Sequence, residues 1–370
     1  MKKIRKRLIV AVTAFSLAIS MAGCGSSSQN SASGSSSKSG GDKVVNLLTW
    51  EGYADSSFAD KFEKKTGIKV NATYFNTSDD LAAKLKAGGG DTYDVISPSG
   101  DMAGYIVQND MAEPLDLNKL ENWSDISDSV KLSDVEKDGK TYGCPYLWGP
   151  DYLIYDADVV KEEPTSWDIF WDPKYSGRIS LYDDISNIYM IGQMEGLDKD
   201  DSSAIYNMST DQLEDAKEKL SKINGSVRKY WTTAGELTDL FANKEVDVAV
   251  GWPITVKNVN DQGRNLKWTI PKEGCTGWMD RLMIVKGAKH VDAAYKWINY
   301  VTSPEGQALS SAATYYTVVN PKALDYMDDD LIATTNADSL DEFFSKINFW
   351  QYVKNRDQYN DIWVSVKSGT

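Results

Sequence analysis

Histidine is almost missing from this sequence: its 370 residues contain one, His290. That removes most zinc sites and any mechanism needing two imidazoles. Cysteine is scarce too. Three residues, Cys24, Cys144 and Cys275, exclude a disulfide-built scaffold and any four-cysteine metal centre. Positive charge is in deficit, with 40 Lys+Arg against 54 Asp+Glu and a formal net charge of -14, so the basic footprint of a nucleic-acid binder is missing. Beyond the N-terminal segment no apolar run is long enough to cross a bilayer. Neither a Gly-x-Ser-x-Gly elbow nor a Walker-type phosphate loop occurs, and Gly88-Gly89-Gly90 lacks the lysine that such a loop needs. No short-period repeat marks a solenoid. Aromatic side chains, by contrast, are plentiful, with 12 Trp and 20 Tyr. Hydrophobic residues make up 41% and charged residues 25%, so the chain can build sizeable cores. Its length suggests two or more domains.

The N-terminus reads as an address. Lys2, Lys3, Arg5, Lys6 and Arg7 precede an apolar run from Leu8 through Ala18 that is too short for a permanent transmembrane helix. The next segment, Met21-Ala22-Gly23-Cys24, resembles the bacterial lipobox, which implies a signal peptide over residues 1–23 and lipidation of Cys24. Between Gly25 and Lys43, nine of nineteen residues are Ser and four are Gly, the composition of a flexible tether. The expected mature protein is extracytoplasmic and lipid-anchored to the cell membrane, with residues 24–43 as anchor and tether. Loss of the five N-terminal cations leaves 35 basic against 54 acidic residues, a net charge of -19. A field of that sign concentrates cations, and it also keeps a surface protein soluble.

The body alternates strand and helix. Val44 to Trp50 reads as a strand. Phe58 and Phe62 follow at helical spacing, with Ser56 or Ser57 as cap and Gly67 as stop. Ile68 to Tyr74 alternates as a second strand, Ser78 opens a helix expected to end at Gly88-Gly89-Gly90, and Tyr93 to Ser97 is a third strand. After Trp148 the pattern returns. Ser209 to Gln212 forms a capping box before a helix, Val227 to Trp231 a strand, Thr233 with Glu236 a second box, and Val246 to Gly251 a buried strand. Two α/β units with largely parallel sheets are expected, with a cleft between them. His290 reads as part of a solvated helix start and offers no partner for cysteine catalysis. Asp183-Asp184 is an acidic pair that glycoside hydrolysis uses and that turns use more often.

Several segments, in order, resemble the spermidine/putrescine-binding branch of bacterial ABC-transporter substrate-binding proteins. They include Leu48-Thr49-Trp50-Glu51-Gly52-Tyr53, Tyr93-Asp94-Val95-Ile96-Ser97-Pro98-Ser99, Pro145-Tyr146-Leu147-Trp148-Gly149, Pro271-Lys272-Glu273-Gly274, Trp278-Met279-Asp280 and Trp350-Gln351. The resemblance runs from about Val45 to the C-terminus. It implies a two-lobed periplasmic-binding-protein fold (type II) with a hinge and an interlobe ligand cleft. Lobe 1 would be 44–148 plus 279–327, and lobe 2 would be 149–278 plus 328–370. It implies a monomer, no cofactor, no metal and no catalysis, with permease and ATPase subunits as partners.

The implied ligand is a small cationic amine. A buried ammonium needs a carboxylate, and aromatic faces suit both its charge and its methylenes. Matching positions offer Trp50, Tyr53, Trp252, Trp278, Tyr316 and Trp350 as aromatics, Asp184 and Asp280 as carboxylates, and Ser99 and Gln351 as polar groups. Strand parity puts Trp278 and Asp280 on one face and turns Arg281 away. The chain departs from the family pattern at Asn187, where an acid is usual, at Glu51, where a small hydroxyl is common, and at Asp101, where an aromatic is common. Glu51 and Asp101 would be substitute carboxylates. Arg228 and Arg281 leave open a zwitterion such as an ω-amino acid or a betaine-like amine. Tyr315-Tyr316 raises ferric iron, and the acidic pair raises a carboxylate-based hydrolase.

Overall fold

The computed structural model describes residues 42–344 and 346–369. The expected signal peptide, Cys24 and nearly all of the tether lie outside the described residues. Among the described residues, no helix is long and apolar enough to cross a membrane.

Two sheets, each covered by helices, make two α/β lobes. In the first, Val44–Thr49 pairs in parallel with Lys69–Tyr74 and with Val95–Ile96. The helices Ser56–Thr66 and Ser78–Thr92 connect these strands. Phe58, Ala59 and Phe62 form the buried face of the earlier helix. Its cap is Asp55 rather than the expected Ser56 or Ser57: the carboxylate accepts from the Ser57 amide at 2.8 Å. It stops at Gly67, in the left-handed conformation at φ 70°. The next helix does not stop at the glycines. It kinks at Gly89 (φ 48°) and runs on to Thr92. Gly90 serves packing, since a Cβ there would come within 2.3 Å of the Lys286 carbonyl oxygen.

This sheet is less parallel than the local pattern predicts. The long strand Thr276–Ile284 enters antiparallel to Val95–Ile96 and to Cys144–Pro150. Thr317–Val318 and Asn348–Phe349 complete seven strands. Such partners come from far along the chain, where periodicity carries no information about pairing.

The second sheet has the order Leu266–Thr269, Tyr152–Asp156, Val248–Gly251, Ile179–Tyr182, Val227–Trp231. Its last three strands are mutually parallel, and its first two are antiparallel. The chain enters this sheet after Pro150 and leaves it before Thr276. The predicted capping box at Ser209 is formed, and it opens the helix Thr210–Asn224, against which the C-terminal helix Arg356–Ser368 packs.

The parallel strands place the site. Ligands of open α/β sheets bind beyond the carboxyl ends of their strands. Here those ends deliver Trp50 and Glu51, Phe75 and Asn76, Ser99, Thr232 to Ala234, and Trp252 to one cleft between the lobes.

Candidate ligand-binding site

The cleft holds about 450 Å³ of empty space, part of it open to solvent. Its walls are aromatic. The Trp50 ring lies 4.3 Å from Phe75 and 5.9 Å, edge-on, from Trp252. Trp278 and Tyr316 meet edge to face at 4.5 Å, and Trp350 completes the lining. The strand Thr276–Ile284 carries Trp278 and Asp280 on the same side, as parity requires, and opposite Asp280 the partner strand bulges at Tyr146 and Leu147. Bulges of this kind re-aim side chains beside functional sites.

Asp280 is the charged centre of the cleft. Its carboxylate is buried, accepts from the Ser99 hydroxyl at 2.5 Å, and accepts from the Tyr53 hydroxyl on its other oxygen. Burial pushes its carboxyl up to about 7, against the pull of those two donors and of nearby Arg281. Glu51 supplies a second carboxylate on the lining, solvent-exposed, accepting weakly from the Gly235 amide at 3.3 Å across the cleft. No Lys or Arg stands on this lining.

The other expected residues sit around this centre. Tyr53 stands behind Asp280 as its hydrogen-bond donor, outside the lining. Asp184 is buried outside the lining, accepts from the Ser186 amide at 2.8 Å, and is pushed up to about 7 by burial, with the Arg356 charge opposing. Asn187 donates to the backbone carbonyls of Tyr182 and Asp184, at 2.6 and 2.8 Å. Asp101 is occupied by Ser78 at 2.9 Å and Arg356 at 2.8 Å. Gln351 is half-buried beside the cleft, where its neighbour Trp350 takes the lining position.

Asp151 was not a sequence candidate, yet it is the buried carboxylate beneath the wall. It accepts from the Trp252 indole at 3.1 Å and from Thr276 at 2.7 Å, and burial raises it to about 7. The Trp350 indole stands near the same carboxylate without reaching hydrogen-bond geometry. The position of Asp151 between two strands that change sheets was its one available signal. Phe75, Asn76 and Thr232 to Ala234 had none beyond following a strand.

The alternative chemistries lose their residues. Arg281 turns away from the cleft and holds Asp134 through two contacts, at 2.9 and 2.8 Å. Arg228 pairs with Glu245 at 2.5 Å. Tyr315 caps its helix in the left-handed conformation under Lys257, 5.6 Å above its ring, while Tyr316 faces the cleft. His290 is half-buried rather than solvated: its backbone amide and ring Nδ1 contact the buried Asp94 at 2.9 and 3.0 Å. Cys144 and Cys275 are buried free thiols, both raised by burial.

Asp183, next to Asp184, has a structural task. It accepts from the Trp363 indole at 2.9 Å and pairs with Lys367, fastening the C-terminal helix. Asp183→Ala is expected to lower unfolding stability by ~1–2 kcal/mol and to leave ligand affinity unchanged. Urea denaturation and calorimetry of the same variant check the two halves.

Residues 57–338 match the family model for bacterial extracellular solute-binding protein. The chain is 27% identical over 321 residues to spermidine/putrescine-binding periplasmic protein 1 of Haemophilus influenzae, covering 86% of each. It is 29% identical over 321 residues to the putrescine-binding periplasmic protein SpuD of Pseudomonas aeruginosa, covering 82% of each. In structure it shares the fold of the spermidine/putrescine ABC transporter substrate-binding protein PotD of Streptococcus pneumoniae, with a TM-score of 0.70 at 23% identity, over 88% of this chain and 99% of that one.

Proposed function

This chain belongs to the bacterial extracellular solute-binding protein family, and we propose that it captures a small cationic amine of the polyamine type in its interlobe cleft and delivers it to an ABC importer. One observation carries this reading: the lining combines two carboxylates, Asp280 and Glu51, with five aromatic rings of Trp and Tyr, and it contains no Lys or Arg. An ammonium group gains from each of these, at ~0.5–2 kcal/mol per aromatic face. An anion would find no charge partner on that lining. The buried indole N–H groups of Trp50, Trp278 and Trp350 have no protein acceptor.

In this reading 44–148 plus 279–327 act as lobe 1 and 149–278 plus 328–370 as lobe 2. The two-sheet arrangement supports that division for 149–275 and for the helix Arg356–Ser368, whereas residues 276–278 and the strand Asn348–Phe349 pair in the first sheet. The ligand touches both lobes only when they meet, so binding shifts the population toward closure. The protein works as a monomer beside permease and ATPase subunits, held to the membrane through Cys24. Two acyl chains give stable anchoring where one is marginal. Cys24→Ala is therefore expected to release the body into the medium or leave it unprocessed. Fractionation and sizing of that variant check this, and unchanged membrane retention together with unchanged processing would reject the anchor.

A thermal-shift screen of amines, amino acids and betaines tests the ligand class. An amine at 100 times its dissociation constant should stabilise the fold by ~2.7 kcal/mol. Stabilisation by amino acids alone would move the zwitterion reading ahead.

A further inference from the structure

Arg356 is a largely buried arginine that joins the two lobes. It opens the C-terminal helix, which packs on the second lobe, yet its guanidinium reaches the helices of the first lobe. Its Nε donates to Asp79 at 2.9 Å, its Nη2 to Asp79 at 3.3 Å, and its Nη1 to Asp101 at 2.8 Å. The side chain is 13% exposed, and Asp101 is fully buried at its side chain. Among the charges around Asp184, that of Arg356 acts most strongly to favour its ionised form.

Asp101 and Asp184 lie beside residues of the cleft wall, while Asp79 is half exposed, and Asp79, Asp101 and Arg356 together line a second, neighbouring pocket. Asp101 follows Ser99, which lines the cleft, on a helix whose Gly100 abuts the Trp350 carbonyl: a Cβ there would come within 2.2 Å of that oxygen. Asp184 follows Tyr182, whose hydroxyl donates to the carbonyl of Asn76, another lining residue. Buried carboxylates next to a cation-binding cleft are where a further ammonium would go, since a buried charge needs a partner. Here a guanidinium that cannot be deprotonated already stands among them. The open cleft keeps two carboxylates for a ligand, Asp280 and Glu51.

We propose that Arg356 is a resident cation that sets ligand length: by occupying Asp101 and Asp79, it limits the cleft to amines with at most two ammonium groups. The proposal rests on the cationic-amine reading and adds a specificity-determining residue to it.

Calorimetry of the mature protein with 1,4-diaminobutane and with spermidine tests it. The wild type should bind the diamine at least about tenfold more tightly, a difference of ~1.4 kcal/mol. Arg356→Gln should bring the two affinities to within about threefold or favour the triamine, while Arg356→Lys, which keeps a cation, should retain the preference. Equal or tighter spermidine binding by the wild type would overturn the proposal, as would a folded Arg356→Gln protein with an unchanged ratio. If Arg356→Gln does not fold, the wild-type ratio and Arg356→Lys decide. Failure of both amines to bind the wild type would instead remove the cationic-amine reading, and the proposal with it.

Discussion

Asp280→Ala is expected to weaken amine binding by about thirtyfold to several thousandfold, a loss of roughly 2–5 kcal/mol. Asp280 is buried in a cleft whose lining is mainly aromatic, with Glu51, Asn76, Ser99 and Thr232 to Ala234 between the rings. An ammonium group brought there leaves water, and Asp280 is its buried counter-ion. Ser99 and Tyr53 hold both carboxylate oxygens in place without supplying positive charge. Truncation would leave the cation unpaired as well as opening a void. Asp280→Asn keeps the volume and separates the two effects: most of the loss should remain, because a neutral amide cannot answer the charge. Trp278→Phe should cost less than Trp278→Ala, since a π-face survives. Calorimetry of each variant, with circular dichroism to confirm folding, measures these differences.

Amine affinity is also expected to fall by about a hundredfold between pH 8 and pH 5. Burial raises Asp280 from its ordinary 3.8 to about 7. Below that value its ionised fraction, the form that binds a cation, drops about tenfold per pH unit. The fall should flatten in Asp280→Asn, which isolates the contribution of this group from those of Asp151 and Asp184. The same shift has the opposite sign for the stability of the ligand-free fold. Asp151, Asp184 and Asp280 all have folded values near 7, well above 3.8. Their contribution is fully present below the unfolded value and is lost as pH rises through about 7. Ligand-free protein should therefore lose part of its stability between pH 4 and pH 8, and bound amine should restore the share that belongs to Asp280. Thermal melts with and without amine across that range check both signs.

The sequence disclosed the parts of the site that depend on local geometry. Trp278 and Asp280 share a face because strand side chains alternate, and Trp50 and Trp252 reach the cleft because each directly follows a buried strand. Parity also placed Arg281 away from the cleft, where it meets Asp134. Contacts between distant residues were illegible. Asp101 reads as a spare carboxylate until Arg356, 255 residues later, is seen to hold it. Tyr53 reads as a lining ring, but its hydroxyl is spent on Asp280, 227 residues away. Gln351 and Trp350 are neighbours in an irregular segment, where no period says which side chain faces the ligand. The same limit applied to the sheets: the parallel strands followed from strand–helix alternation, while the antiparallel strand Thr276–Ile284 joined them from far along the chain.

The most direct test of the account is a pair of calorimetric titrations at pH 8, one with 1,4-diaminobutane and one with 1,4-butanediol. The two have nearly the same shape, but only the diamine is charged. The account predicts saturable binding of the diamine and at least about a hundredfold weaker binding of the diol, a gap of ~2.7 kcal/mol or more. Equal affinities, or binding of neither while an anionic or zwitterionic solute saturates the cleft, would contradict it.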